Sequence, residues 1–330
     1  MVDKIKEENS GQKLHNITLQ QEKRIFIFFL LGIAFYTSLI FLVDLKKVIG
    51  VSYKFNWSIV PLLLLLSFLN YLVRFFRWHY LLGQISIKIP LKTSFRIFMS
   101  GLSMTVTPGK VGETIKAYLV KKETGNSFSQ MIPLLIFERL TDGIGMIILA
   151  LGGIYLFRQS ILFFILSIAI ILAFFVFIKT KNQTLSLIKR IEDKVGHIKI
   201  LDFFIAFFEH SNLLMKPNIL TRSIIFSLIA WFFEGASLFL LVNQFGGFFN
   251  LSSLFLSLFI FSFSSIAGFL VLIPGGIGVA EASITSLMTL FYGLGLPEAV
   301  FATLLFRFAT LWFGVGLGLI NLFLSFSKHE

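Results

Sequence analysis

No cysteine occurs in the 330 residues. That excludes disulfides, thiolate metal sites and cysteine nucleophiles, and it leaves the redox compartment unread. Histidine is scarce: His15, His79, His197, His210 and His329 stand apart, with no pair at metal-ligand spacing. No zinc or haem site is expected from them. The chain holds no Gly-x-x-x-x-Gly-Lys-Ser/Thr string, so the phosphate loop of nucleotide hydrolases is absent. Charge is thin as well, at 14% Asp, Glu, Lys and Arg, against about 25% in soluble domains. Neither a cofactor nor an enzymatic activity is expected from this inventory.

What the chain does have is apolar surface. Hydrophobic residues make up 56% of it, 42 of them Phe, and the mean hydropathy is +0.86. A soluble fold of this length could not hide so much, so lipid must serve as solvent for much of the protein. The expected fold is all-α, a polytopic bundle of about seven to eight transmembrane helices, because helices satisfy their backbone groups internally. The net charge of +12 fits either nucleic-acid binding or cytoplasmic loops. Nearly all the basic residues flank apolar runs, which is the pattern that orients membrane helices. Nucleic acid is therefore not an expected partner, whereas membrane lipids are.

Residues 1–24 are polar and of mixed charge and read as a disordered cytoplasmic tail. Apolar runs follow at 25–43, 57–76, 131–157, 161–178, 222–242, 251–273 and 297–324. The second run ends in Arg74, Arg77, Trp78 and His79, which read as a basic and aromatic anchor at the membrane interface. The short segment 93–107 suits a broken or re-entrant helix, and 279–292 is short as well; it is either broken in the same way or, the preferred reading, crosses as an eighth span from 277 to 292. Residues 184–216 are amphipathic, with Leu185, Ile188, Ile191, Val195, Ile198 and Leu201 at three- and four-residue steps. They suit helices on the cytoplasmic surface, or a helical hairpin packed against the bundle. Residues 25–325 thus read as one transmembrane domain. The basic segments around residues 23–24, 77–122 and 179–222 fall on one side. The protein is expected in the plasma or inner membrane, multi-pass, with a cytoplasmic N-terminus.

Two short strings look alike. Thr107-Pro108-Gly109-Lys110-Val111-Gly112-Glu113 carries a Pro-Gly break, a second Gly and a lone Glu; so does Ile273-Pro274-Gly275-Gly276-Ile277-Gly278-Val279-Ala280-Glu281. Arg139 lies 31 residues after Pro108, and Arg307 lies 33 residues after Pro274. Pro ends a helix and Gly permits a sharp turn. The helix that restarts presents free N–H groups suited to an anion such as phosphate. Matching interruptions in two halves point to an internal repeat with a central binding site. The repeat is parallel or inverted; the sequence leaves both open.

Ionisable residues at membrane depth cost about 2.5–3.5 kcal/mol each on insertion scales, so those retained are paired or line a wet cavity. The candidates for substrate binding are Lys110, Glu113, Glu138, Arg139, Asp142, Glu281 and Arg307. Glu138 and Asp142 share a helix face, and Arg139 can pair with Asp142 three residues on. Arg307 needs a partner from another helix, with Glu281 or Glu113 the natural choice and a ligand phosphate the alternative. Glu281 and Asp142 are candidate proton carriers. Glu234, after Trp231 and two Phe, reads as a polar helix-packing residue.

The Pro108–Glu113 string, the run Glu138-Arg139-Leu140-Thr141-Asp142, and Pro274-Gly275-Gly276-Ile277-Gly278 with Glu281 together resemble the lysylphosphatidylglycerol synthase transmembrane-region family. The resemblance extends over about residues 20–325. It implies a flippase-like integral membrane protein. In two-part members the membrane half moves an aminoacylated phospholipid to the outer leaflet, and a soluble domain makes that lipid. No such domain is seen before Glu330, so lipid aminoacylation is not expected here. The leading expectation is a transporter moving a phospholipid or glycolipid between leaflets. The alternatives are a non-catalytic membrane partner of a glycosyltransferase or lipid-modifying enzyme, and a membrane enzyme acting on lipid headgroups.

Overall fold

A computed structural model describes residues 45–106, 114–126, 128–153, 160–181, 183–186, 190, 199–246, 249–271 and 276–326. Lys110, Glu113, Pro108, Gly109, Gly112, Pro274 and Gly275 lie outside these residues, as do the 1–24 tail, the 25–43 run and most of 187–198.

The described residues form twelve α-helices and no strand. A short helix α1 (Leu45–Lys54) leads through a 3₁₀ turn (Trp57–Ile59) into α2 (Val60–Gln84). Asn56 caps that turn, its side chain accepting from Ser58 N. Pro61 sits in the first turn of α2, where its missing N–H has no partner to lose. Then come α3 (Leu91–Leu102), α4 (Ile115–Thr124), α5 (Phe128–Ala150), α6 (Ser160–Lys179) and α7 (Lys199–Leu214). The last part holds α8 (Pro217–Asn243), α9 (Leu251–Leu270), α10 (Val279–Tyr292), α11 (Leu296–Arg307) and α12 (Phe313–Phe326), with a π-helical turn, Phe308–Trp312, between α11 and α12.

By length and composition, four described helices can cross a membrane: Trp57–Gln84, Pro217–Asn243, Leu251–Leu270 and Leu296–Leu324. The helix α5 is long enough but carries Glu138, Arg139 and Asp142 near its middle. Val279–Tyr292 is apolar and short. The surface of α6 is almost wholly apolar: Leu162, Ile165, Leu166, Ile170, Leu172 and Val176 are all exposed. Water would not tolerate such a helix, but lipid solvates it.

Small residues set the close helix contacts. A Cβ on Gly145 of α5 would come 2.9 Å from Ser227 Cβ of α8, and one on Gly235 of α8 would meet Leu258 of α9. Asn70 Nδ2 of α2 donates to Ala230 O of α8 over 2.7 Å, a buried tie between two long spans. The expected interface anchor is corrected here. The helix α2 continues to Gln84, so Arg74, Arg77 and Trp78 fall inside it and are buried, Arg77 completely. They face neighbouring helices because Ser67, Asn70, Arg74 and Arg77 recur at three- and four-residue steps on one face. In the amphipathic region, α7 packs on α5, and Phe207 and Phe208 are buried with Ile178 of α6.

Candidate functional site

Three clusters of ionisable side chains tie neighbouring helices together. The first is centred on Arg77 of α2. Its Nη1 donates to Asp142 Oδ1 over 2.7 Å, to Thr141 Oγ1 over 3.3 Å and to Ser227 Oγ. Asp142 Oδ1 also accepts from Trp231 Nε1 over 2.9 Å. Arg139 Nη1 stands 3.4 Å from Asp142 Oδ2, the local pair that the i,i+3 spacing predicts. One carboxylate therefore joins α2, α5 and α8.

The second cluster lies along the same face of α5. Glu138 Oε2 accepts from Lys116 Nζ of α4 over 2.8 Å, and Glu138 Oε1 lies 3.9 Å from Arg77 Nη2. Lys116 is only 2% exposed. Its ammonium sits 4.5 Å from the ring centroid of Trp78, and its stem passes Gly101 of α3, where a Cβ would come within 2.6 Å of Lys116 Cγ. An ammonium buried this far is sustained by the carboxylate and the ring together.

The third cluster follows the second Pro-Gly string. Gly276 and Gly278 have φ of +67° and +98°, in the region that glycine enters without a Cβ penalty. Gly276 folds onto Gly268 of α9, where a Cβ would be 3.2 Å from Gly276 Cα. The helix α10 then starts, and Glu281 turns back so that Oε2 accepts from Gly278 N over 2.6 Å. Glu281 Oε1 meanwhile accepts from Arg307 Nε of α11 over 2.6 Å. The anion at the start of α10 is thus the protein's own carboxylate, rather than a vacancy for phosphate at Gly278 N. Arg307 has Glu281 as its partner, one of the two expected.

Beside these clusters is a cavity of about 300 Å³. Its charged lining is Arg74, Arg139, Asp142, Glu234 and Arg307, and most of the rest is apolar. Gly276 and Ala280 contribute from the broken segment. Ile170 of α6 and Phe269 and Leu270 of α9 also line it and are themselves exposed, so the cavity reaches the outer apolar surface between those helices. On another wall the Tyr71 hydroxyl donates to Thr310 O and lies within reach of the Gly314 N–H, entering the helix ladder at the π-helical turn.

The structure brings Arg139, Asp142 and Arg307 to the cavity and places Glu138 and Glu281 behind them as their partners' carboxylates. Glu234, read as a packing residue, is buried in the bundle and also lines the cavity. Sequence reasoning missed Arg74, Arg77, Lys116 and Trp231. The helical spacing of polar residues along 67–77 was the available signal for the first two. Lys116 was hidden among the lysines of a segment that reads as cytoplasmic.

The chain is also similar to known membrane proteins. Over 314 residues the chain is 27% identical to a UPF0104 membrane protein of Methanothermobacter thermautotrophicus, covering 89% of this chain and 92% of that one. A second UPF0104 membrane protein, from Methanocaldococcus jannaschii, is 28% identical over 194 residues, covering 56% of this chain and 78% of that one. Residues 29–318 match the family described as the lysylphosphatidylglycerol synthase TM region, and the chain belongs to that family of multi-pass membrane proteins.

Proposed function

We propose that this protein moves a lipid with a polar headgroup between the leaflets of the membrane. The observation that carries the reading is the cavity: ionisable side chains, apolar walls, and exposed lining residues on α6 and α9 that open it toward the outer apolar surface. A headgroup can sit among the charges while its chains remain in the bilayer. A water-soluble substrate would need no lateral opening.

The reading includes an internal repeat of opposite topology, α2–α5 against α8–α12. Its support is a matched pair of ion contacts. Lys116, eight residues after Pro108, reaches Glu138 on the following long helix; Glu281, seven residues after Pro274, reaches Arg307 on its following helix. Each break is followed by a short helix pinned to the next helix, with the signs of charge exchanged. In this scheme Lys88, Lys92, Lys121 and Lys122 place the α3–α4 hairpin on the cytoplasmic side. The loop before α9, uncharged over 244–250, places the α9–α10 hairpin on the other. Inverted repeats of this kind place a substrate site at the bilayer midplane.

The test is leaflet exchange. Purified protein is reconstituted in liposomes carrying labelled phospholipid or glycolipid, and movement between leaflets is followed by a membrane-impermeant quencher. Exchange above protein-free liposomes, lost in Arg307→Gln with lipids chemically unchanged, is the expected result. New lipid products would instead assign a headgroup enzyme. No exchange with any lipid would leave the role of a membrane partner and end the transport reading.

A further inference from the structure

Among the described residues, one cation of the cavity makes no ion pair. Arg74 is 5% exposed and lines the cavity. The ion pairs at the site engage Arg77, Lys116, Arg139 and Arg307. Among the described residues Arg74 makes no ion pair, and its Nε has no hydrogen-bond partner. Its guanidinium carbon stands 5.1 Å from the centroid of the Trp231 ring. A guanidinium held this deep without a counter-ion is costly, and burial against an aromatic face repays only part of that cost.

The surroundings hold Arg74 in place. Trp231 cannot swing away, because its Nε1 donates to Asp142, and Asp142 is fixed by Arg77. Neither cavity carboxylate pairs with Arg74: Asp142 is committed to Arg77 and Arg139, and Glu234 forms no ion pair with it. The indole lies beside the guanidinium, and Arg74 lines the cavity, where its N–H groups can meet a ligand. Those groups match a phosphate, which accepts two parallel N–H bonds from arginine.

We propose that Arg74, clamped by Trp231, is the phosphate subsite of the cavity, and that its ligand is a lipid phosphate without a compensating ammonium. This rests on the transport reading for the identity of the cavity's cargo. Arg139 faces Asp142 and Arg307 faces Glu281, which leaves Arg74 to the headgroup phosphate, and a zwitterionic headgroup would bring an ammonium of its own beside these arginines. A net-anionic headgroup supplies the missing charge.

Equilibrium binding separates this from the transport reading. Protein in neutral detergent is titrated with phosphatidylglycerol, phosphatidylethanolamine and inorganic phosphate, and bound ligand is counted by native mass spectrometry. Phosphatidylglycerol should bind at least about tenfold tighter than phosphatidylethanolamine, as for a charge-assisted hydrogen bond. Arg74→Gln should bring the two lipids level, and Arg74→Lys should keep part of the preference. Equal binding of both lipids by the unaltered protein overturns the subsite, even if Arg74→Gln fails to fold. So does a preference that survives in a folded Arg74→Gln protein. Inorganic phosphate binding as tightly as the lipid would assign a free-anion site instead. A preference without leaflet exchange would retain the subsite and sink only the transport reading.

Discussion

Lys116 Nζ lies 2.8 Å from Glu138 Oε2 with both side chains almost fully buried, and Glu138 also faces Arg77 at 3.9 Å. One carboxylate thus answers two cations on two other helices. Glu138→Gln strands Lys116 and leaves Arg77 with Asp142 alone, whereas Lys116→Met leaves Glu138 with Arg77. Each should lower the thermal midpoint in detergent, by the equivalent of about 3–5 kcal/mol for a broken buried pair, and the Gln variant should be the worse. The double variant should recover part of the loss. A double variant worse than both singles would show that the pair is not coupled.

Gly101 should not accept a larger residue. A Cβ there would meet Lys116 Cγ at 2.6 Å and Cδ at 2.8 Å, the stem of the side chain rather than its free end. Gly101→Ala should cost about 1–3 kcal/mol, as overpacking does. Combining it with Lys116→Met should relieve the clash. Thermal midpoints of the two singles and the double check this.

Glu281 has two duties, capping α10 through Gly278 N and pairing with Arg307. Arg307→Gln removes one of these, and Glu281→Gln weakens both. The glutamate variant should therefore be the less stable, with the difference of about 0.5–2 kcal/mol that a lost cap carries. Both should slow leaflet exchange. Exchange rates equal to the unaltered protein in stable, folded variants would remove this pair from the working site.

Gly268 faces the broken segment at van der Waals range, its missing Cβ 3.2 Å from Gly276 Cα and 3.4 Å from Gly276 O. Here the neighbour is backbone, already at positive φ, and can yield little. Gly268→Val should displace the segment and reduce exchange more than it reduces the thermal midpoint. The reverse ordering would mark Gly268 as a packing residue only.

Much of the bundle was legible because long apolar runs need only length to be recognised, and α8 and α9 fall close to where their runs lie. The partner of Arg307 was legible too, since an intramembrane arginine requires one. What misled was local context. Arg74, Arg77 and Trp78 lie together at the end of an apolar run, and such a cluster ordinarily marks an interface. Only the helix's continuation through Leu81 and Leu82, both buried, reveals that they are interior. Lys116 sits six residues from Lys110 and five from Lys121. Its difference from them arises from tertiary packing, through Gly101, Trp78 and Glu138, which no one-dimensional pattern encodes.

The π-helical turn at Phe308–Trp312 fixes an angular relationship. One residue more or fewer in an α-helix rotates everything beyond it by about 100°. Arg307 lies just before that turn, and Thr310 and Gly314, which meet the Tyr71 hydroxyl, lie within and beyond it. Deleting one residue there would straighten the helix and swing either the arginine or the tyrosine's docking edge away from the hollow. The widened coil acts as a phase shifter, allowing one continuous rod to address two walls that an even pitch could not face together.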